Sequence, residues 1–280
     1  MAETPSRPGD SAVRVALLYP ELLGTYGDRG NARVLVQRLA WRGLPAELVE
    51  APWGERAPAS CDVYVLGGGE DSPQASAAAA LIAEGAVHRA VEGGAAVLGI
   101  CAGFQILGRS FFGPGGEARD GLGLIDCTTA RRAEPRIVGE ILVEPDPGTR
   151  LPALSGYENH AGLTDLGPSA SPLGRVEVGV GNGDGTEGAR QGRVVGTYLH
   201  GPALARNPAL ADLMLSWIVG DLQPLDDAEI TELREERRRF VAAEQARRAA
   251  RRPRRWPRGW RPYRRTMSST ARPSAANFSV

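Results

Sequence analysis

Ala95-Ala96-Val97-Leu98-Gly99-Ile100-Cys101-Ala102-Gly103-Phe104-Gln105-Ile106-Leu107 carries the strongest structural signal in the chain. An apolar run of strand length breaks at Gly99, presents a cysteine, and passes at once into a helical pattern. Gly99, Ala102 and Gly103 are small enough to permit the tight, strained turn that a residue between strand and helix needs. Such a turn pushes the Cys101 sulfur outward and aims the N–H groups of the following helix at it, which favours the thiolate. The stretch therefore predicts a nucleophile elbow with a reactive Cys101. Cys61 and Cys127 sit beside apolar runs and read as packing thiols.

Upstream, Val13–Tyr19, Ala46–Glu50 and Cys61–Leu66 read as buried strands. A helix carrying Val34, Leu35, Leu39 and Trp41 ends at Gly43, and an Ala-rich helix over 75–91 ends at Gly93-Gly94. This alternation predicts an α/β fold: a doubly wound, mostly parallel sheet with flanking helices. Gly67-Gly68-Gly69 follows the third strand directly. Three residues without side chains let backbone N–H groups approach an oxyanion, the second donor that an elbow requires. Downstream, Phe111–Gly123 and Gly179–Gly192 read as loops, Gly121–Thr128 and Arg136–Val143 as strands, and Gly156–Gly162 as a polar island. Val194–Leu199 is a strand ending in His200-Gly201-Pro202, and Asn207-Pro208 opens a helix through Ile218.

A thiolate nucleophile needs a base to take and return its proton. Of three histidines, His88 lies in the Ala-rich helix as a surface residue and His160 follows Glu158-Asn159. His200 is the expected base, because it stands at the carboxyl end of a strand, where open α/β sheets gather their ligands. No His or Cys set has metal-ligand spacing, so no metal is expected.

With 280 residues the chain is long enough for one full core. All 33 basic residues are Arg and balance 33 acidic ones, yet from Thr231 onward the chain is Arg-heavy. The expected organisation is a disordered N-terminus over 1–12, a catalytic domain over 13–225, and a charged helix with a disordered Arg/Pro-rich tail over 226–280. Arg interleaved with Trp256, Trp260 and Tyr263 makes contact with anionic lipid the alternative to a solvated tail; no nucleic-acid partner is expected. Unpaired cysteines, with neither an apolar leader nor a membrane-length run, point to a soluble, cytoplasmic protein.

Gly99-Ile100-Cys101-Ala102-Gly103-Phe104-Gln105 with Tyr198-Leu199-His200-Gly201-Pro202 resembles the class I (triad) glutamine amidotransferases of the cobyric-acid-synthase-like branch. Tyr26-Gly27-Asp28-Arg29-Gly30-Asn31, Gly156-Tyr157-Glu158-Asn159-His160 and Asp184-Gly185-Thr186-Glu187-Gly188 resemble the GatD type, the glutaminase subunit of lipid II isoglutaminyl synthase. The similarity spans about Val13 to Val219. It implies that Cys101 attacks the carboxamide of L-glutamine, that Ala102 with Gly68 or Gly69 holds the oxyanion, and that His200 serves as acid and base. It also implies that Gln105 and Arg136 bind substrate. The family's usual glutamate two residues after the histidine is here Pro202. The GatD type obtains its third carboxylate from a Mur-ligase-like partner of the MurT type, which implies a heterodimer. That partner would bind ATP and Mg and amidate lipid II; this chain has no cofactor of its own and no Gly-x-x-x-x-Gly-Lys-Ser/Thr loop. The alternatives are an amidotransferase for another acceptor such as a cobyrate-type corrinoid, which normally carries a fused synthetase domain for which nothing before Val13 leaves room; a non-catalytic binding module; and a cysteine peptidase on the same sheet.

Overall fold

The computed structural model describes residues 11–25 and 27–250, the side chains of 244, 245 and 248–250 excepted. Its first half winds β1 (Val13–Leu18), α1 (Arg29–Ala40), β2 (Ala46–Ala51), β3 (Val63–Leu66), α2 (Asp71–Glu84), α3 (Ala86–Glu92), β4 (Ala96–Ile100) and α4 (Ala102–Leu107). A chain of shorter strands follows: β5 (Ser110–Phe112), β6 (Ala118–Asp120), β7 (Cys127–Arg131), β8 (Ile137–Pro145), β9 (Leu154–His160), β10 (Gly162–Leu166), β11 (Gly174–Val178) and β12 (Thr186–Glu187). The chain then returns through β13 (Ala189–Gln191) and β14 (Val194–Thr197) to α5 (Ala203–Arg206), α6 (Pro208–Val219) and α7 (Ala228–Ala250).

The main sheet runs β13-β14-β4-β3-β1-β2, parallel throughout except for the edge strand β13. β3 and β4 are buried at every position, as continuous apolar strands covered on both faces must be. β2, at the other edge, is only partly buried before Ala51 and exposes Glu47 and Glu50. The doubly wound, mostly parallel α/β sheet expected from the sequence is therefore present.

Two four-stranded sheets, β10-β7-β5-β6 and β12-β11-β8-β9, were not expected from the sequence. The supposed loops over 111–123 and 179–192 hold strands β5, β6, β12 and β13, while 121–126 is not a strand; β7 begins only at Cys127. The polar island is strand β9, in register with β8 from Ile137 opposite His160 to Val143 opposite Leu154. Its Glu158 and His160 are buried against polar partners, so apolar alternation, the usual mark of a strand, is absent there.

The structure also divides the chain later than 225/226. The compact body runs through Val241, and the described residues from Ala242 fall in a second unit. The start of α7 belongs to the body because its charges are anchored. The Arg38 guanidinium of α1, fully buried, pairs with Asp212 of α6 at 2.6 Å and with Asp227 at 2.9 Å. Arg238 reaches Glu177 at 3.2 Å. Of the segments expected to be disordered, 1–12 and the Arg/Pro-rich tail, residues 1–10 and 251–280 lie outside the described residues. Among the described residues, no helix is long and apolar enough to cross a membrane.

Candidate active site

Cys101 stands between β4 and α4 with φ +51° and ψ −102°, a left-handed backbone that a side chain adopts only under constraint. The constraint is close packing of backbone on backbone. A Cβ on Gly99 would lie 2.6 Å from the Gly103 carbonyl carbon, and one on Gly103 would lie 2.4 Å from the Leu66 oxygen. Two hydrogen bonds hold the turn, from Cys101 N–H to Thr197 O at 2.8 Å and from Gly103 N–H to Gly67 O at 3.1 Å. The thiol faces the Asn159 carbonyl at 3.8 Å. The elbow expected from the sequence is thus formed.

His200 follows β14 and is nearly fully buried. Its backbone pairs with Tyr157 of β9, donating to Tyr157 O at 2.8 Å and accepting from Tyr157 N–H at 3.2 Å. The imidazole interacts with Cys101 and with a carboxylate: Asp28 Oδ1 stands 3.7 Å from Nδ1. Burial pulls the His200 pKa down. Hydrogen bonding to Asp28 and then to Cys101 outweighs that pull, so the imidazole is pushed up from 6.5 to about 9 and is held charged at neutral pH. Pro202 does occupy the position where a glutamate was missed, but Asp28, from the loop between β1 and α1, supplies a carboxylate that the sequence reading did not find. The available signal was the polar Asp28-Arg29-Gly30-Asn31 cluster at the carboxyl end of a buried parallel strand.

The expected oxyanion donors separate. Gly68 N–H donates to Asp28 Oδ2 at 2.7 Å, so it is already committed and is withdrawn from the set. Its lack of a side chain serves proximity instead, since a Cβ there would sit 2.9 Å from His200 Cε1. Gly69 N–H makes no hydrogen bond among the described residues, and Ala102 N–H is the first of α4, without an intrahelical acceptor.

The Arg136 guanidinium donates to Asn159 Oδ1 and, at 2.9 Å, to Asn159 O, the carbonyl that the Cys101 thiol faces. Sequence-distant Arg136 and Cys101 thus meet on one peptide group, with Arg136 exposed. Gln105 is buried. Its amide accepts from Gln74 Nε2 at 2.9 Å and donates to the Tyr198 hydroxyl at 3.2 Å, which makes it a support beneath the elbow in this structure. His160 stacks on Tyr198 with ring centroids 3.8 Å apart and reaches Glu158 at 3.4 Å. Glu158 also accepts the Val180 and Gly181 N–H groups at 3.0 Å each. Half-buried His88 lies on the Leu122 carbonyl. Burial pushes the Cys61 thiol up and the Cys127 thiol to about 12, as suits packing residues. Among the described residues, no group of three or more His, Cys, Asp or Glu could hold a metal.

Residues 14–208 match the CobB/CobQ-like glutamine amidotransferase domain. The chain belongs to this family. The amidotransferase is 37% identical over 200 residues to the lipid II isoglutaminyl synthase (glutamine-hydrolyzing) subunit GatD of Staphylococcus aureus, covering 69% of this chain and 79% of that one. To the Streptococcus pneumoniae subunit of the same name it is 32% identical over 205 residues, covering 71% and 77%. A cobyric acid synthase of Cereibacter sphaeroides is 40% identical over 116 residues, which cover 39% of the amidotransferase and 22% of the synthase.

Proposed function

We propose that this chain is the glutaminase subunit of a lipid II isoglutaminyl synthase. The observation that carries the reading is the meeting of a strained Cys101 and Arg136 on the Asn159 carbonyl, with a charged His200 against the thiol, in a chain that matches most of the length of two GatD subunits. Cobyric acid synthase is the weaker reading, because the chain covers 22% of the Cereibacter sphaeroides synthase.

In the proposed reaction, Arg136 holds the α-carboxylate of L-glutamine at the mouth and the side-chain carboxamide enters toward Cys101. The Cys101 thiolate attacks the carboxamide carbon. The developing oxyanion rests on the Ala102 and Gly69 N–H groups. His200, charged at neutral pH, gives its proton to the departing nitrogen, so ammonia leaves and a glutamyl thioester remains. Neutral His200 then takes a proton from water, the hydroxide attacks the thioester, and glutamate and Cys101 are released. Gln105 supports the elbow through Tyr198.

Ammonia is protonated in bulk water and loses its nucleophilicity, so its release belongs beside the enzyme that consumes it. That enzyme is a Mur-ligase-like partner of the MurT type, which binds ATP and Mg, activates the D-glutamate carboxyl of the lipid II stem peptide and forms the amide. The heterodimer works at the cytoplasmic face of the membrane, in peptidoglycan synthesis.

Glutamate release from glutamine by the full chain, alone and with the co-expressed partner, tests the reading, with Cys101→Ala as control. Release that is strongest with the partner and drops to background in Cys101→Ala is expected. Release that survives Cys101→Ala overturns the mechanism, and amidation of a corrinoid acid but not of lipid II overturns the acceptor.

A further inference from the structure

We infer that Asp28 is the positioning residue of His200, so that this chain carries its own third carboxylate, delivered from the loop between β1 and α1 rather than from the strand that bears the histidine. The inference rests on the proposed glutaminase reading for its chemistry, but its geometry stands apart from the acceptor and the partner.

Asp28 occupies the residue before α1, where an aspartate ordinarily caps the helix through its side chain. It makes no such bond. Fully buried, its carboxylate is spent elsewhere: Oδ2 accepts the Gly68 N–H at 2.7 Å, and Oδ1 stands 3.7 Å from His200 Nδ1 and 3.5 Å from Asn31 Nδ2. A buried carboxylate carries a large desolvation cost unless donors or an opposite charge surround it; Gly68 N–H and Asn31 Nδ2 donate to it, and the His200 imidazolium faces it at 3.7 Å.

The rest of the Asp28-Arg29-Gly30-Asn31 segment fixes this aim. Asn31 Oδ1 accepts the Leu204 N–H at 2.9 Å, tying the loop to the helix just after the histidine. Gly30 is bare where Pro202 packs, and a Cβ there would lie 2.3 Å from Pro202 Cγ. The ring at 202 therefore lies against the very segment that brings the acid, and a glutamate at 202 has no task left. Among the described residues, the titratable groups that face the imidazole are Asp28 and Cys101. Those nearby are engaged otherwise: Glu158 of β9 with His160, and Arg206 of α5 with Glu140 at 3.1 Å.

A carboxylate on Nδ1 sets the tautomer that leaves Nε2 for the thiol and for the leaving nitrogen, and it steadies the imidazolium between the two half-reactions. The test is a proton titration of His200 by NMR of histidine-labelled full chain, its signal assigned by its loss in His200→Gln. In Cys101→Ala, where no thiolate can hold the imidazolium, His200 is expected to titrate above 6.5, and Asp28→Asn in that background to lower it by about one unit or more. Titration at or below 6.5 in Cys101→Ala overturns the inference and needs no Asp28 variant to fold.

In the complex with its partner, Asp28→Asn is expected to lower kcat for glutamate release roughly 100- to 10,000-fold with KM for glutamine changed by less than about threefold. Asp28→Glu should recover part of the loss. A folded Asp28→Asn complex with unchanged kcat and pH profile hands the role to a partner carboxylate and overturns the inference. Asp28-dependent titration in a chain that releases no glutamate leaves the inference standing and fails the proposed function instead.

Discussion

The nucleophile and the base of this site are held by opposite means. Cys101 is fixed by absence: Gly99 and Gly103 leave no atoms, strand and helix backbones close to contact, and the strained turn has nowhere to relax. His200 is fixed by polar groups drawn from across the chain. Asp28 and Asn31 stand on one side, Tyr157 on another, and Asn207 pins β9 by accepting the Ser155 N–H and donating to the Ser155 carbonyl, each at 2.9 Å. A steric arrangement fails when atoms are added, and a hydrogen-bonded one fails when they are taken away.

Substitution can break that contrast, beginning where the effect should be largest. Gly103→Ala would gain about 1 kcal/mol at an exposed helical site. Here its Cβ would meet the Leu66 backbone at 2.4 Å, so a net loss of roughly 3 kcal/mol is expected, with slower alkylation of Cys101. A thermal midpoint equal to wild type would defeat the steric account. Asn207→Ala strips the side-chain partners from Ser155 N–H and Ser155 O, and one of two donors from Ala203 O, and should cost about 2 kcal/mol. It should lower glutamate release while Cys101 still alkylates at the wild-type rate, and equal damage to both readouts would merge the two halves of the site.

The last effect, no larger, is expected at Glu187, behind β14, where Oε1 accepts the Thr197 hydroxyl at 2.5 Å and the Tyr198 N–H at 2.8 Å. Burial, opposed by these bonds, raises its pKa from 4.5 to about 7. The folded chain therefore holds this proton more tightly than the unfolded chain, and the resulting stability is complete below about 4.5 and lost as pH rises through 7. Glu187→Gln, which cannot ionise, should gain on wild type between pH 5 and pH 8 in chemical denaturation by roughly 2 kcal/mol. A gap that does not change with pH would show that the carboxyl is not buried as described.

The same contrast explains what the sequence could reveal. The elbow, the strands β1, β3 and β4, and the histidine at the end of β14 are written in contiguous residues, because steric rules and burial on both faces act over a few positions. Asp28 and Gly68 show the limit. In sequence Gly68 looked like an oxyanion donor; in space its N–H belongs to Asp28, and only the fold puts the two side by side. β9 was hidden for a related reason. Its inward residues include Glu158 and His160, whose burial depends on partners at Val180, Gly181 and Tyr198 that no local pattern discloses. The start of α7 looked like a free charged segment until Arg38 supplied the buried partner for Asp227.

The bond between Asn31 and Leu204 joins positions 173 residues apart. During synthesis the ribosome delivers the cysteine and its strained turn long before the residues that complete the clasp, and contacts this distant close late. A nascent chain therefore carries its thiol without its base, and acquires hydrolytic power only when the last strand of the sheet is seated. Reactivity in this protein reports completed folding.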